Sequence, residues 1–228
     1  MDTTPLKAEA LKTGALFEPG RSIAWDYVIS FDYPWEALPG VGECIIKIGK
    51  ALKDPEYNIL PGNVWIHNTA TVAPSAYIGN NVIICAEACV RHCAFIRENA
   101  LVGAGAVVGN STELKNAILF DGVQVPHYNY VGDSILGYKS HMGAGAITSN
   151  IKSDRTPVSV SFHERRVETG LKKFGAILGD HVEVGCNSVL NPGCVIGPGT
   201  TVYPLSMVRG FIPGGSIYKK QGEVAEKS

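Results

Sequence analysis

The sequence predicts an all-β solenoid in which six-residue repeats stack into a parallel β-helix. An apolar residue recurs at every sixth position through ten consecutive repeats: Ile66, Val72, Ile78, Ile84, Val90, Ile96, Val102, Val108, Leu114 and Phe120. Four positions after most of them stands a small residue, as at Ala70, Ala76 and Ala88. Glycine often follows the apolar residue directly, as at Gly79 and Gly103, which suits a corner with unusual backbone angles. A fixed short period of this length is typical of a repeat architecture.

The six-residue period has a direct physical meaning. One unit supplies a short strand and a corner, and three units close a triangular coil, so residues roughly eighteen apart stack on one another. The apolar positions then fill one continuous interior, and the small residues occupy crowded inward positions near the corners. A β-sandwich does not fit this pattern, because its strands alternate with period two and turn about every 8–12 residues.

The repeat also divides the chain into parts. Hexads occupy residues 64–213, with a second series at Leu178, Val184, Leu190, Ile196, Val202 and Val208. Residues 1–63 lack the hexad and are predicted to form a cap, with short helices over 6–16 and about 43–52. The aromatic residues of this cap are expected to pack over the open first coil, with ligand binding as the alternative: Trp25, Tyr27, Phe31, Tyr33 and Trp35. Residues 214–228 are predicted to be a flexible tail.

The repeat stops after Asn150 and resumes at Leu178, so residues 151–177 are predicted to leave the β-helix as a loop. This segment is rich in basic side chains: His163, Arg165, Arg166, Lys172 and Lys173. Long ordered loops are commonly functional, and positive charge would suit an anionic substrate or a cofactor phosphate. A solvated loop or a subunit contact explains the same composition, and the sequence leaves both explanations open.

The composition argues against several classes of protein. A net charge of −1 and a pI near 6.6 argue against a nucleic-acid partner, because phosphate backbones require a basic surface. No stretch approaches the roughly 20 apolar residues of a membrane span, and the N-terminus lacks the basic and apolar regions of a signal peptide. We therefore expect a cytoplasmic protein with no membrane contact, whose six cysteines are thiols.

Two motifs mark the point where the repeat loses its phase. The run Pro126-His127-Tyr128-Asn129-Tyr130-Val131-Gly132-Asp133 is followed by Gly143-Ala144-Gly145-Ala146-Ile147-Thr148-Ser149-Asn150. These motifs and their spacing resemble the acetyltransferase domain of the bifunctional glucosamine-1-phosphate acetyltransferase/N-acetylglucosamine-1-phosphate uridylyltransferase, over roughly residues 64–213. The hexads alone resemble those of many acyltransferases. The resemblance implies that the β-helix is left-handed, against the usual handedness of parallel crossovers.

The resemblance assigns catalytic and donor-binding roles to four residues. His127 would be the general base that takes a proton from the acceptor amine, and an unperturbed imidazole pKa of about 6.5 suits this task. Glu113 would orient or polarise His127. The backbone of Ala144 would meet the acyl group or the pantetheine arm of acetyl-CoA. Cys186 stands where the family has a small residue that contacts the cofactor.

The same resemblance implies an acceptor site. Arg97 and Lys115 would bind a sugar phosphate, the arginine in bidentate fashion and the lysine as a point charge. Tyr130 and Asn150 would bind the sugar itself.

The sequence departs from the family at several of these positions. His141 replaces an active-site asparagine, and Ile151 replaces a tyrosine that follows the second motif. A second phosphate-binding lysine of the family has only loose counterparts in Lys152 and Arg155. These differences leave the identity of the acceptor sugar open.

A metal site is not predicted. Cys85, Cys89 and Cys93 with His92 do not have Cys-x-x-Cys spacing, and the three cysteines occupy different places in the hexad. The γ-class carbonic anhydrases share the fold and bind zinc through three histidines, but their closely spaced histidine pair is not found among the six histidines of this sequence.

Together these features predict an acetyl-CoA-dependent N-acetyltransferase that acts as a homotrimer, because an edge of a single prism exposes only part of a site. The acceptor is expected to be an amino-sugar phosphate similar to glucosamine 1-phosphate, or a nucleotide-linked amino sugar. Two alternatives stay open: a non-catalytic scaffold, and a regulatory subunit that pairs with a sugar-phosphate nucleotidylyltransferase.

Overall fold

The computed structural model describes residues 8–52 and 55–227. The chain is a parallel β-helix preceded by short helices, so the predicted fold class, a left-handed β-helix of hexapeptide repeats, is confirmed. The helical elements are the 3-10 helices Ala8–Leu11 and Pro34–Gly40 and the α-helices Thr13–Leu16, Trp25–Ile29 and Val41–Ala51. Among the described residues, no helix has the length and apolar character needed to cross a membrane.

The strands are short, as the six-residue unit requires. In chain order they are Tyr57–Leu60, Val64–His67, Thr71–Val72, Tyr77–Ile84, Cys89–Val90, Phe95–Val102, Val107–Asn110, Glu113–Leu119, Gln124–His127, Tyr130–Leu136, His141–Met142, Ile147–Thr148, Ser159–Phe162, Arg165–Glu168, Ala176–Leu178, Glu183–Val184, Val189–Leu190, Cys194–Ile196, Thr201–Val202, Met207–Val208, Phe211–Ile212, Ser216–Lys220 and Glu223–Glu226.

The coils form three faces, which we name by the inward residues that stack along them. Face A contains Ile78, Ile96, Leu114, Val131, Thr148, Leu190 and Val208. Face B contains Val72, Val90, Val108, Val125, Met142, Val184 and Val202. Face C contains Ile84, Val102, Leu119, Leu136, Leu178, Ile196 and Ile212. The predicted hexad positions therefore form the interior of the prism with one exception, since Leu119 takes the place on face C that the spacing predicts for Phe120.

Three edges join the faces, and each is named here after one residue. The His127 edge leads from face B to face A, the Asp133 edge from face A to face C, and the Lys139 edge from face C to face B. Residues with left-handed backbone angles make these turns, among them Cys93, Ser111, Tyr128 and Asn187 on the His127 edge and Asn81, Asn99, Asn116 and Asp133 on the Asp133 edge.

Unequal coil lengths explain the loss of phase in the repeat. Ile96 pairs with Leu114, but Glu98 pairs with Lys115, because Arg97 is the extra residue of a bulge. The next two coils are one residue shorter than the first ones, so strict hexad spacing does not follow the interior there, and it returns from Leu178 onward. The bulge also turns Arg97 out of the regular ladder on face A.

Face C is buried on both of its sides. On each strand of face C the outward-pointing side chain is buried as well as the inward-pointing ones, which explains the continuous apolar runs in the sequence. The outward residues that are 0% exposed are Ile83, Leu101, Ile118, Ile135, Ile177 and Val195. The Val41–Ala51 helix covers part of this surface, where it lies against the strands Tyr77–Ile84, Phe95–Val102 and Glu113–Leu119.

This cover corrects the predicted position of the N-terminal aromatic residues. Trp35 is buried and its ring packs against Phe174, with 5.9 Å between ring centroids, well away from the first coil. The open edge of the first coil is instead paired by the antiparallel strand Tyr57–Leu60. The lateral surface attracts the aromatic residues because its apolar runs offer more area to bury than the end of one coil.

Polar contacts fix the N-terminal segment to the β-helix. The Asn116 side-chain amide donates to the Leu38 carbonyl over 3.1 Å. The Asp180 carboxylate accepts from the backbone N–H groups of Glu18 and Tyr138, at 2.5 and 2.7 Å. Burial raises the pKa of the Asp180 carboxyl, and the hydrogen bonds from the two amides act in the opposite direction.

The loop predicted over residues 151–177, named the excursion from here on, contains a β-hairpin. Strands Ser159–Phe162 and Arg165–Glu168 pair antiparallel, and the Phe162 ring lies 5.1 Å from that of Phe211 on face C. Val158 and Val160 are fully buried in this contact, whereas the basic residues predicted for the loop remain exposed. The excursion therefore covers the C-terminal part of face C.

The predicted flexible tail is largely ordered. The strand Ser216–Lys220 adds one more rung to face B, with Ile217 opposite Thr201, and Tyr218 is only 3% exposed. The strand Glu223–Glu226 then folds back on it antiparallel. The β-helix extends past residue 213 because Tyr218 still supplies an apolar side chain for its interior.

Gly109 shows how closely successive coils approach. A Cβ there would overlap the backbone of Pro126 in the next coil, so Gly109→Ala should lower the free energy of unfolding by about 2–3 kcal/mol. Gly105 is the matched control, since its φ is +64° but nothing lies within 4 Å of an added Cβ. Gly105→Ala should therefore cost only the left-handed backbone penalty, about 1 kcal/mol. Urea titrations at one protomer concentration test this, and equal losses in both variants would contradict the steric explanation.

Candidate active site

Faces A and B carry exposed outward side chains and meet at the His127 edge. Tyr77 and Phe95 on face A are 59% and 42% exposed, and Gln124 on face B is exposed as well. The predicted site residues lie in two groups in this region. The first group follows the His127 edge and contains His127, Ala144 and Cys186. The second group, called the face A group, lies on the outer side of face A or at its end and contains Arg97, Glu113, Lys115, Tyr130 and Asn150.

His127 is the last residue of its strand on face B. Its backbone N–H donates to the Asn129 side chain over 3.0 Å, and its carbonyl accepts from the Gly145 N–H over 3.0 Å. Asn129 is 2% exposed and also donates to the carbonyls of Gly143 and Ala146, at 2.8 and 3.0 Å. The backbone of the His127 edge is thereby fixed on two successive coils, while the His127 imidazole is exposed.

Ala144 occupies the position of His127 one coil later. The neighbouring amides are engaged, since Gly143 donates to Val184 over 2.7 Å and Gly145 donates to His127. Within residues 8–52 and 55–227, the Ala144 N–H has no hydrogen-bond acceptor, and the residue is partly exposed. Cys186 follows in the same column on the next coil, and its thiol is exposed. An imidazole, a free N–H and a thiol thus stand on consecutive coils of one edge.

Arg97 and Glu113 form an ion pair on face A. Arg97 Nη1 lies 2.9 Å from Glu113 Oε1, and this hydrogen bond raises the pKa of Arg97. In the described part of the chain, the Glu113 side chain bonds to Arg97 and forms no hydrogen bond with His127. The predicted polarisation of His127 by Glu113 is therefore not present within one protomer.

Asp133 joins the remaining predicted acceptor residues. This carboxylate is almost fully buried, at 3% exposure, and its Oδ1 accepts from Lys115 Nζ over 2.9 Å and from Asn116 over 3.0 Å. Its Oδ2 accepts from Asn150 Nδ2 over 2.5 Å. Lys115 and Asn150 are held by one side chain that is itself out of contact with solvent.

Tyr130 links this network to the ion pair. Its hydroxyl lies 3.2 Å from Asn150 Nδ2, and it stands directly opposite Glu113 on the previous coil. The phenol crosses over Gly132, where any side chain would collide with it. Burial raises the pKa of Tyr130, and the carboxylates of Asp133 and Glu113 raise it further, so the phenol stays neutral.

No role was predicted for two residues that shape this region, Asp133 and Asn129. Both belong to the motif that suggested the family. A buried polar side chain next to a left-handed turn was the available signal, because Asn and Asp tolerate that backbone conformation.

Metal ligands are not gathered at this site. In the described ranges, no three His, Cys, Asp or Glu side chains are placed to hold a metal ion. All six cysteines are free thiols, and three of them are buried: Cys44, Cys85 and Cys194.

The part of the chain that carries the predicted site also matches known proteins. The GMPPB C-terminal domain family matches residues 83–204, which is more than half of the chain and includes all the predicted site residues. The chain belongs to this family.

Relatives of the chain include proteins described as bifunctional. The bifunctional protein GlmU of Methanococcus maripaludis strain C5 is 34% identical over 198 residues, 86% of this chain and 48% of the relative. A bifunctional sugar-1-phosphate nucleotidylyltransferase/acetyltransferase of Sulfurisphaera tokodaii is 29% identical over 160 residues, 70% of this chain and 40% of that protein. The predicted resemblance is confirmed by these matches, and the chain spans about half the length of the curated relatives it matches.

One solved structure is similar to part of the chain. The acetyltransferase domain of PglB from Neisseria gonorrhoeae, in complex with acetyl coenzyme A, is 21% identical and aligns with 72% of this chain and 57% of its own. The TM-score of this match is 0.34.

Proposed function

We propose that the chain is an acetyl-CoA-dependent N-acetyltransferase whose acceptor is an amino sugar. The observation that carries this proposal is the His127 edge, where an exposed imidazole and a free backbone N–H occupy one column on consecutive coils. A relative described as a bifunctional sugar-1-phosphate nucleotidylyltransferase/acetyltransferase supports the same chemistry.

The two groups of the edge have complementary tasks in acyl transfer. The acceptor amine attacks the thioester carbon, and His127 takes the proton that nitrogen loses as the C–N bond forms. The same imidazole returns this proton to the coenzyme A sulfur as the C–S bond breaks. The Ala144 N–H donates to the carbonyl oxygen while it carries negative charge, a contribution of about 3 kcal/mol per donor in comparable sites. Cys186 borders the path of the donor on the following coil.

The acceptor site has no net charge in the isolated chain. The positive charges of Arg97 and Lys115 are matched by Glu113 and Asp133. A phosphorylated acceptor must therefore compete with Glu113 for Arg97, whereas sugar hydroxyls can use Tyr130 and Asn150 directly. We propose an amino-sugar phosphate or a nucleotide-linked amino sugar, in which Arg97 exchanges its carboxylate partner for a phosphate.

We further propose that the protein is a cytoplasmic homotrimer. Exposed apolar side chains lie near both ends of the His127 edge and on its face A flank: Tyr77, Phe95, Tyr128, Tyr203, Leu205 and Met207. Exposed aromatic and apolar side chains are typical of a subunit interface, and cyclic assembly would place this edge against a neighbouring prism. The six free cysteines suit a reducing compartment.

The test is an assay of thiol release from acetyl-CoA. Glucosamine 1-phosphate, glucosamine and a nucleotide-linked amino sugar are offered in parallel, and thermal melting with each ligand gives an independent readout. A ligand at 100 times its Kd should add about 2.7 kcal/mol of stability. We expect thiol release with a phosphorylated or nucleotide-linked acceptor. Absence of thiol release and of any melting shift would exclude the enzyme proposal.

One observation favours a second candidate function. Both predicted phosphate-binding cations already have carboxylate partners, which is compatible with a scaffold or a regulatory subunit of a sugar-phosphate nucleotidylyltransferase. A scaffold would form the trimer and yet give no acetyl-CoA response in the melting experiment.

A further inference from the structure

A second histidine on face B has a carboxylate partner. His141 Nδ1 lies 2.8 Å from Glu183 Oε2, and the two residues stand directly opposite each other on neighbouring coils. They are 42 residues apart in the sequence, because the excursion intervenes between the coils. Their side chains are 35% and 53% exposed, so the pair is open to a ligand.

The pair has the geometry of an oriented base. When Nδ1–H donates to the carboxylate, Nε2 keeps its lone pair as a proton acceptor, and the carboxylate stabilises the imidazolium that forms. The ring of His127 has no hydrogen-bond partner among the described residues. Of these two histidines on face B, His141 is therefore the one whose tautomer is fixed by a neighbour.

A groove of about 480 Å³ gives access to the pair, which forms part of its lining. Gly105 and Gly122 leave one wall without side chains, and Gln124, Lys139 and His181 complete the lining. A volume of this size accommodates a small polar molecule. Ala144 lies three residues further along the same coil as His141, which corresponds to about 10 Å of extended chain.

We propose that the His141–Glu183 pair removes one proton from the ammonium form of the acceptor. The site is shared between two copies, because the pair of one copy faces the face A group of its neighbour. This inference rests on the proposed transferase activity. An aliphatic amine is largely protonated at neutral pH and cannot attack a thioester until it loses one proton. His141 takes this first proton and releases it to solvent. His127 takes the second as the C–N bond forms and passes it to the leaving sulfur, so both protons are accounted for.

A neighbouring copy is needed because one prism separates the two groups. His141 lies on face B, whereas Arg97, Tyr130 and Asn150 lie on face A or at its end, so a small acceptor cannot touch both on the same chain. In the face A group, Glu113 bonds to Arg97, and Asp133 bonds to Lys115 and Asn150. Within the part of the chain that the structure describes, both carboxylates of that group are therefore engaged, and the His141–Glu183 pair supplies a base when the His127 edge packs against the next prism.

The first test is the pH dependence of His141→Gln. At neutral pH this variant should lose about tenfold or more in kcat/KM. The loss should disappear above the pKa of the acceptor amine, where the amine arrives already neutral. The charged or titratable groups that face His141, namely Glu183, Lys139 and His181, are unchanged in this variant. Activity equal to wild type, or the same loss at every pH, would reduce the pair to a surface ion pair and overturn the proposal.

The second test asks whether two copies share the site. His141→Gln and Arg97→Glu chains are unfolded and refolded together in equal amounts. If each site combines face B of one chain with face A of the next, about one quarter of the sites contain both native halves, and activity should rise above that of either parent. His141→Gln mixed with Glu183→Gln is the control, since both changes affect the same half and no recovery is expected.

The outcomes separate this inference from the proposed function. Recovery only in the first mixture supports it, and no recovery in either mixture overturns it. A wild-type chain that releases no thiol with any acceptor would exclude the transferase and the role of His141 together. An active wild type with a fully active His141→Gln variant would exclude only the role of His141.

Discussion

His127→Ala should lower kcat/KM for acetyl transfer by about 10²- to 10⁴-fold, the usual contribution of a positioned acid–base group. The imidazole is exposed at the end of its strand, and the contacts that shape this edge come from its backbone and from Asn129. Removing the ring should therefore leave the fold and the assembly unchanged. Thiol release, with circular dichroism and sedimentation on the same samples, measures both parts of this expectation.

His92→Ala is the matched control for this experiment. His92 stands two coils before His127 in the same column of the His127 edge. Asn110 lies between them, since it pairs with His127 and its side-chain amide donates to the His92 carbonyl. Its ring bonds to Ser75 over 3.0 Å and is not adjacent to the free N–H of Ala144. This variant should keep nearly full activity. Retained turnover in His127→Ala, or equal losses in the two variants, would remove His127 from the mechanism.

The interior of the fold could be predicted from spacing, but its outer cover could not. A six-residue period identifies the side chains that point inward, such as Ile96 and Leu114, because each coil repeats the same geometry. It does not reveal that Ile83 and Leu101 on the outer side of face C are also buried. Their burial depends on the Val41–Ala51 helix, a contact between distant segments that no local period encodes.

The candidate site was partly predictable for a related reason. The family resemblance selected Arg97, Lys115, Tyr130 and Asn150, and the structure places them along one side of the prism. Which charges pair with them depends on the register between coils and on the bulge at Arg97, and neither is visible in the residue types. The His141–Glu183 pair could not be predicted from residue spacing, because the length of the excursion determines how far apart the two residues are in the sequence.

Asp133→Asn should lower the free energy of unfolding by about 3 kcal/mol and raise the KM of the acceptor. Asparagine has almost the same shape and tolerates the left-handed φ of 48° at this position, so the change removes little besides the charge. Lys115, whose side chain is only 15% exposed, then keeps its ammonium group without a counter-ion. Loss of one member of a buried pair is costly because the other stays charged and poorly solvated. Urea titrations at one protomer concentration give the free energies.

Combining Asp133→Asn with Lys115→Met separates the structural part of this network from its part in binding. With both charges removed, no ion is left without a partner, and stability should return to within about 1 kcal/mol of wild type. The acceptor KM should stay high, because methionine offers no charge to the sugar phosphate and asparagine holds Asn150 less firmly than a carboxylate. If the double variant regained both stability and acceptor binding, Lys115 would be no more than a structural partner of Asp133. The face A group would then bind its ligand through Arg97, Tyr130 and Asn150 alone.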